Sequence, residues 1–263
     1  MSTDGSGTRA PGGLSPDPGA APPGRIIGAQ TAYEVRSTLR NGEQLLLTLA
    51  IPLLLLVGLS RLPVDVVGSS PAVDAVVPGV LALAVVSTAF TGQAIAVGFE
   101  RRYGVLRLLG STPLGRGGLL VAKTLGVIVV EIVQVLLIAA VALVLGWQPA
   151  GSPIGAALLL VAGTATFSAL GLLLGGTLRA EGTLAVANGL YLAMLVAGGL
   201  VLPAARMPEA WAEVVRWLPS GALGEGLRDV LLHGTVLPLQ PLAVLAVWGL
   251  VAGLATVRAF RWD

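Results

Sequence analysis

Cysteine is absent from the sequence, which excludes disulfides, thiol nucleophiles and cysteine-bound metals. Histidine occurs once, as His233, so no histidine metal cluster can form. A serine–histidine protease working inside a membrane is excluded too, because His233 lies on no apolar run and reads as a solvated surface residue. Lysine also occurs once, as Lys123. Charge of either sign is scarce: Asp, Glu, Lys and Arg make up 11% of the chain, against about 25% in an ordinary soluble domain. The opening "MSTDGSGTRAPGGLSPDPGAAPPG" lacks the apolar stretch of a cleavable signal. Its Gly, Pro, Ser and Asp content predicts a disordered tail over residues 1–24.

What is present is apolar. Hydrophobic residues make up 55% of the 263, and the runs they form approach the roughly 20 residues a helix needs to cross a bilayer. The expected fold class is an all-α polytopic membrane protein. Six spans are predicted, near 44–60, 73–98, 118–146, 154–177, 183–204 and 238–257, the first of them short and interrupted by Pro52. They are read as helices because a loop or sheet edge facing lipid leaves backbone groups unpaired. With six spans the two termini share a side. That side carries twelve of the sixteen Lys and Arg residues, and the other carries Arg61, Arg206, Arg216 and Arg228. The asymmetry predicts both termini in the cytoplasm. Arg, Ala, Gly and Val in excess, with one Lys, suggest a GC-rich bacterial genome. The expected location is a bacterial cytoplasmic (inner) membrane. The net charge of +2 invites a nucleic-acid reading, but the basic residues are scattered around apolar segments and fit membrane orientation better.

Two connections are more than turns. Residues 25–43 mix Ile26, Ile27, Tyr33 and Leu39 with Arg25, Arg36 and Arg40, the pattern of an amphipathic helix in the headgroup plane. Residues 203–234 alternate Trp211, Val214, Val215 and Trp217 with Glu209, Glu213 and Arg216. They predict one or two short helices, broken at Pro219, that dip into the outer interface.

Among chemical motifs, "GGLLVAKT" at 117–124 approaches a phosphate-binding loop, but Ala122 stands where the second glycine belongs and an apolar span comes next. No ATP hydrolysis is expected of this chain, which is read as a non-enzyme. Glu131 lies near the middle of the third span, on one helical stripe with Thr124 and Gln134. Two readings stand side by side: a substrate-path or proton-linked carboxyl, or an interhelical hydrogen bond to Asn188 or Thr166. Glu131, Gln134 and Asn188 are the substrate-path candidates. "GLLLGG" at 171–176 reads as helix packing.

Residues 99–117, "FERRYGVLRLLGSTPLGRG", predict a short cytoplasmic helix ended by Gly110 and Pro113. Its apolar residues need lipid or a protein groove to cover them. Glu100, Gly104–Val105–Leu106, Thr112–Pro113–Leu114, Arg116 and Lys123 resemble the cytoplasmic signature of type 2 ABC exporter permeases. Gly199, Pro203, Pro208, Pro219, Arg228 and Gly234 resemble that family's external re-entrant region, and "RAFRW" its C-terminus. The resemblance spans residues 25–263, read as one transmembrane domain. It implies a permease with no cofactor of its own, paired with a second permease copy or paralogue and with a cytoplasmic ATPase subunit that binds ATP and Mg. The segment near 100–111 would be the coupling helix, with Glu100, Arg101, Gly104, Leu106, Arg107, Pro113 and Arg116 at the ATPase interface. Many members carry an acidic residue where this chain has Arg107. The implied substrate is hydrophobic or amphipathic, a drug or antibiotic first and a lipid or polysaccharide second. A proton-coupled secondary transporter using Glu131 and a non-transporting membrane anchor are the readings from other classes.

Overall fold

With no water to bond to in hydrocarbon, a backbone rich in Leu, Val and Ala pairs with itself as helix. The computed structural model describes residues 21–61, 72–200 and 203–260, and no strand occurs among them. The expected tail through residue 20, Arg9, and the closing Arg261 and Trp262 lie outside the described residues. The helices are α1 (Pro23–Arg40), α2 (Gly42–Ser60), α3 (Ala72–Arg102), α4 (Val105–Gly110), α5 (Gly115–Val144), α6 (Pro153–Thr177), α7 (Ala180–Ala197), α8 (Glu209–Trp217), α9 (Pro219–Leu231) and α10 (Leu239–Ala259). Five of them, α3, α5, α6, α7 and α10, are long and apolar enough to cross a membrane. The described apolar part of α2, Thr48–Ser60, is shorter.

Helix α3 is the axis of the bundle: 83% of its most apolar stretch is buried within the protein, against 28% in α5 and 17% in α7. It continues past the predicted end at 98 to Arg102, since no helix breaker intervenes before Gly104. Midway, Val86–Gly92 forms a wider π-helical stretch. Glycines on α6 let it close on this region: a Cβ at Gly171 would lie 2.7 Å from the Phe90 carbonyl oxygen, and one at Gly175 2.5 Å from that of Ala94. Helix α6 is tied to α10 by threonines, Thr166 donating to the Leu245 carbonyl (2.8 Å) and Thr256 to that of Ala169 (3.0 Å). Small residues and polar side chains do the joining, as expected where helices gain little from leaving lipid.

The fifth predicted span, 183–204, is corrected at both ends. Helix α7 begins at Ala180 and stops at Ala197, because Gly198 and Gly199 end it and Gly199 takes a left-handed φ of 81°. The connection after it holds two helices, α8 and α9, parted at Leu218–Pro219. Only α8 is amphipathic in the expected way, with Trp211, Val214 and Trp217 exposed. Helix α9 is packed inward along most of its length, Leu223, Leu227 and Val230 being fully buried. His233 is 63% exposed, as predicted, with Asp229 at 3.4 Å.

Candidate functional site

One end of the bundle gathers α1, the ends of α3, α6 and α10, the start of α5 and α7, and all of α4. At its centre is Lys123, 3% exposed, whose ammonium donates to Glu100 at 2.8 Å and to Glu34 at 2.9 Å. Glu34 also accepts from Gln30 (2.7 Å). The three charged residues come from α5, α3 and α1, so one buried cation holds the leading helix against the bundle. Gly126, one turn on, admits this approach: a Cβ there would lie 2.9 Å from Glu34 Cβ. Thr31 donates to the Ala122 carbonyl at 3.3 Å beside it. A cavity of about 60 Å³ adjoins the cluster, lined by Glu34, Lys123, Gln93 and Thr88. As "GGLLVAKT" lies wholly within α5, it forms no phosphate loop.

The residues expected at an ATPase interface divide into two sets. Glu100 turns inward to Lys123. Arg101 donates to the carbonyls of Gly176 (3.0 Å) and Leu178, closing the C-terminal end of α6. Arg116 does the same for α10 through Val257 (3.3 Å) and Arg258 (3.4 Å). Guanidinium groups suit these ends, where unpaired carbonyls carry partial negative charge. Leu106 is fully buried with Val97, Leu114, Leu119, Leu172 and Phe260, so it anchors α4 from beneath. Gly104, with a φ of 76°, breaks α3 from α4 in a conformation that a side chain would strain. The second set faces out: Arg107 and Pro113 are exposed, and beside them Tyr103 is 73% and Leu108 72% exposed. Arg102, also exposed, pairs with Glu181 on α7.

The substrate-path candidates do not form one site. Gln134 is buried, accepting from Thr88 (3.0 Å) and donating to the Thr48 carbonyl (2.7 Å). That carbonyl stands four residues before Pro52, which has no N–H to offer it. Gln134 thus supplies the donor that the proline removed and joins α2, α3 and α5. Gln134→Leu should cost about 1–3 kcal/mol by removing the donor to this carbonyl and the acceptor for Thr88. Pro52→Ala in that background restores the backbone N–H, so a thermal-unfolding cycle should show the pair strongly non-additive. Simple additivity would contradict the assignment. Glu131 is buried, and its partner is neither Asn188 nor Thr166 but Thr164 on α6. Thr166 bonds across to α10 instead, and Asn188 sits on an exposed face of α7, donating to its own Leu184 carbonyl (2.9 Å). Helical period fixes which residues share a stripe on α5; which neighbour meets the stripe depends on how α6 is rotated. No group of three or more potential metal ligands occurs among the described residues.

Residues 27–232, most of the chain and every element just described except α10, match the family described as ABC-2 type transporter. The chain belongs to this family. It is similar to the "Putative transport permease YvfS" of Bacillus subtilis (strain 168), with 26% identity over 144 residues. The similarity covers 52% of this chain and 56% of that relative, so the chain spans little more than half the relative's length. The ABC-2 permease family supplies the membrane component of an ABC transporter.

Within this ABC-2 chain the structure joins two residues far apart in sequence. Arg228 on α9, 3% exposed, donates to the carbonyls of Gly199 (2.8 Å) and Leu200 (2.6 Å), just past the Gly198 cap of α7. It also meets Glu225 at 2.8 Å, and Glu225 in turn accepts from the Ala204 amide (2.9 Å). The residue that sequence reasoning missed is Glu34. It is the one acidic residue of α1, and Thr31, Glu34 and Thr38 recur at helical spacing on one face. A lone lysine inside an apolar helix calls for such a partner.

Proposed function

We propose that this chain is the permease subunit of an exporter whose ATP hydrolysis takes place on a separate cytoplasmic ATPase, and that α4 is the helix through which the ATPase acts. The observation that carries this is the outward face of the α3–α4 junction: Tyr103 and Leu108, each nearly three-quarters exposed, stand beside exposed Arg102 and Arg107. A helix of six residues anchored by buried Leu106 and hinged at Gly104 offers an apolar and basic knob to a groove. Inward, the same junction is bolted to α5 and α1 by Glu100–Lys123–Glu34 and to α6 by Arg101. A push on the knob therefore reaches several helices at once. Two permeases with two ATPases form the working assembly, both termini lie in the cytoplasm, α1 rests in the headgroup plane, and α2 completes six spans. The substrate is hydrophobic or amphipathic, a drug or antibiotic in the leading reading.

The test uses the outward set, because Glu100, Arg101 and Gly104 also hold the fold. Arg107→Glu combined with Leu108→Glu should reduce at least tenfold the retention of the cytoplasmic ATPase subunit that co-purifies with the parent permease. ATP-driven export in proteoliposomes should be lost, while thermal stability stays that of the parent. Full ATPase retention by the double variant would refute α4 as the contact.

A further inference from the structure

Helices α5 and α6 leave a groove of about 180 Å³ between them, walled by Ile128, Ile132, Val135, Leu136, Leu160 and Val161. Its lips face outward: Ile132 is 54%, Leu136 65% and Val161 50% exposed. These two helices are among the five long enough to span, so the opening is at membrane depth. The wall is apolar apart from Glu131 and Thr164. Thr164 bonds Oε2 of Glu131, while Oε1 is buried and has no hydrogen-bond partner among the described residues. Nor does any cation pair with this carboxyl among them, in contrast to Glu34 and Glu100, which share Lys123.

We propose that this groove is a binding site for a lipophilic amine reached from the membrane, with Glu131 as its polar anchor. A volume near 180 Å³ compares with the apolar cavity of about 150 Å³ known to accept benzene, so one aromatic ring or a short alkyl arm fills it. The rest of a larger molecule lies in lipid along Leu136 and Val161. The choice of an amine rests on the anchor. A carboxyl in hydrocarbon keeps its proton unless a base beside it takes that proton, since an unpaired charge there is the larger cost. An amine takes the proton from Glu131 and remains as the ammonium paired with the carboxylate; a hydroxyl can only share a hydrogen bond. This inference deepens the proposed export function by naming a substrate class, and it rests on that reading only for the export step after binding. Binding itself requires neither ATP nor the ATPase.

Its test therefore uses the permease alone, in zwitterionic nanodiscs, with tritiated phenylbutylamine as probe and empty discs as background. Saturable binding is expected, with phenylbutanol at least tenfold weaker. Glu131→Gln keeps an acceptor of the same shape without the charge, and should abolish the preference for amine over alcohol. Ala157→Trp narrows the groove from its lip without touching Glu131, and should weaken both probes at least tenfold. Equal binding of amine and alcohol by the parent would overturn the amine assignment. Unaltered binding in Ala157→Trp would overturn the groove. Absence of saturable binding in the parent, together with a change of oligomeric state in Ala157→Trp, would show the groove covered by a second copy and sink the proposal. Any of these results leaves ATPase retention by α4 unaffected, so the two readings fail separately.

Discussion

Lys123→Met should lower the thermal midpoint of the protein in nanodiscs by something of the order of 10 °C. The reason is the imbalance it creates. Lys123 is almost wholly enclosed, and the Glu34 and Glu100 side chains are 15% and 23% exposed. Removing the cation leaves two carboxylates facing each other with little water. Breaking a buried ion pair from one side costs about 3–5 kcal/mol, and a chain of this size shifts by about 2–4 °C per kcal/mol. The triple variant Glu34→Gln, Glu100→Gln, Lys123→Met removes every charge from the cluster and should recover most of the loss. If Lys123→Met melts with the parent, the triad is not holding α1 to the bundle. If the triple variant is as unstable as the single one, packing of the lysine stem outweighs its charge.

The other large effect belongs to Gly175. Its missing side chain lets α6 touch α3, and a Cβ alone would stand 2.5 Å from the Ala94 carbonyl oxygen and 3.0 Å from Val97 Cβ. The first of these neighbours is backbone inside the central helix and cannot swing away. Overpacking typically costs about 1–3 kcal/mol where side chains can adjust; here α6 must move, taking with it the Gln93–Ser168 bond (2.7 Å) and the Thr124–Ser168 contact (2.8 Å). Gly175→Leu should therefore yield little or no monodisperse protein on size exclusion. Gly189→Leu is the matched control, because nothing lies within 4 Å of a Cβ there, and it should behave as the parent. Normal recovery of Gly175→Leu would mean that α6 and α3 are not in this contact.

Much of this architecture is legible in the residues one by one. Scarce charge and long unbroken apolar runs determine a helical membrane protein, since the other backbone solution in lipid, a closed barrel, is built from short strands of alternating polarity. Pro219 parts α8 from α9 where predicted, and the end of α6 at Thr177 coincides with the predicted one. The family resemblance around residues 99–117 is visible too, because it is local: Glu100, the Gly104–Val105–Leu106 run, the Thr112–Pro113–Leu114 turn and Arg116 at close spacing. The arginines are where such reading stops. Counted from sequence, Arg101 and Arg116 are orientation signals and interface candidates; folded, they close the ends of α6 and α10. Their partners are 75 and 141 residues away, and no pattern near either arginine announces them.

The sequence by itself determined the helical class and most helix ends, which depend on composition or on a period of a few residues; the family entered as a resemblance carried by local motifs. Only the tertiary structure decided that Glu34 answers Lys123, that Gln134 supplies the donor Pro52 lacks, and that Glu131 meets Thr164 in the wall of a groove. Those pairings depend on the rotation and depth of one helix against another. In lipid that choice is made by glycines admitting close approach and by polar groups finding partners, which are properties of two surfaces together rather than of either segment alone.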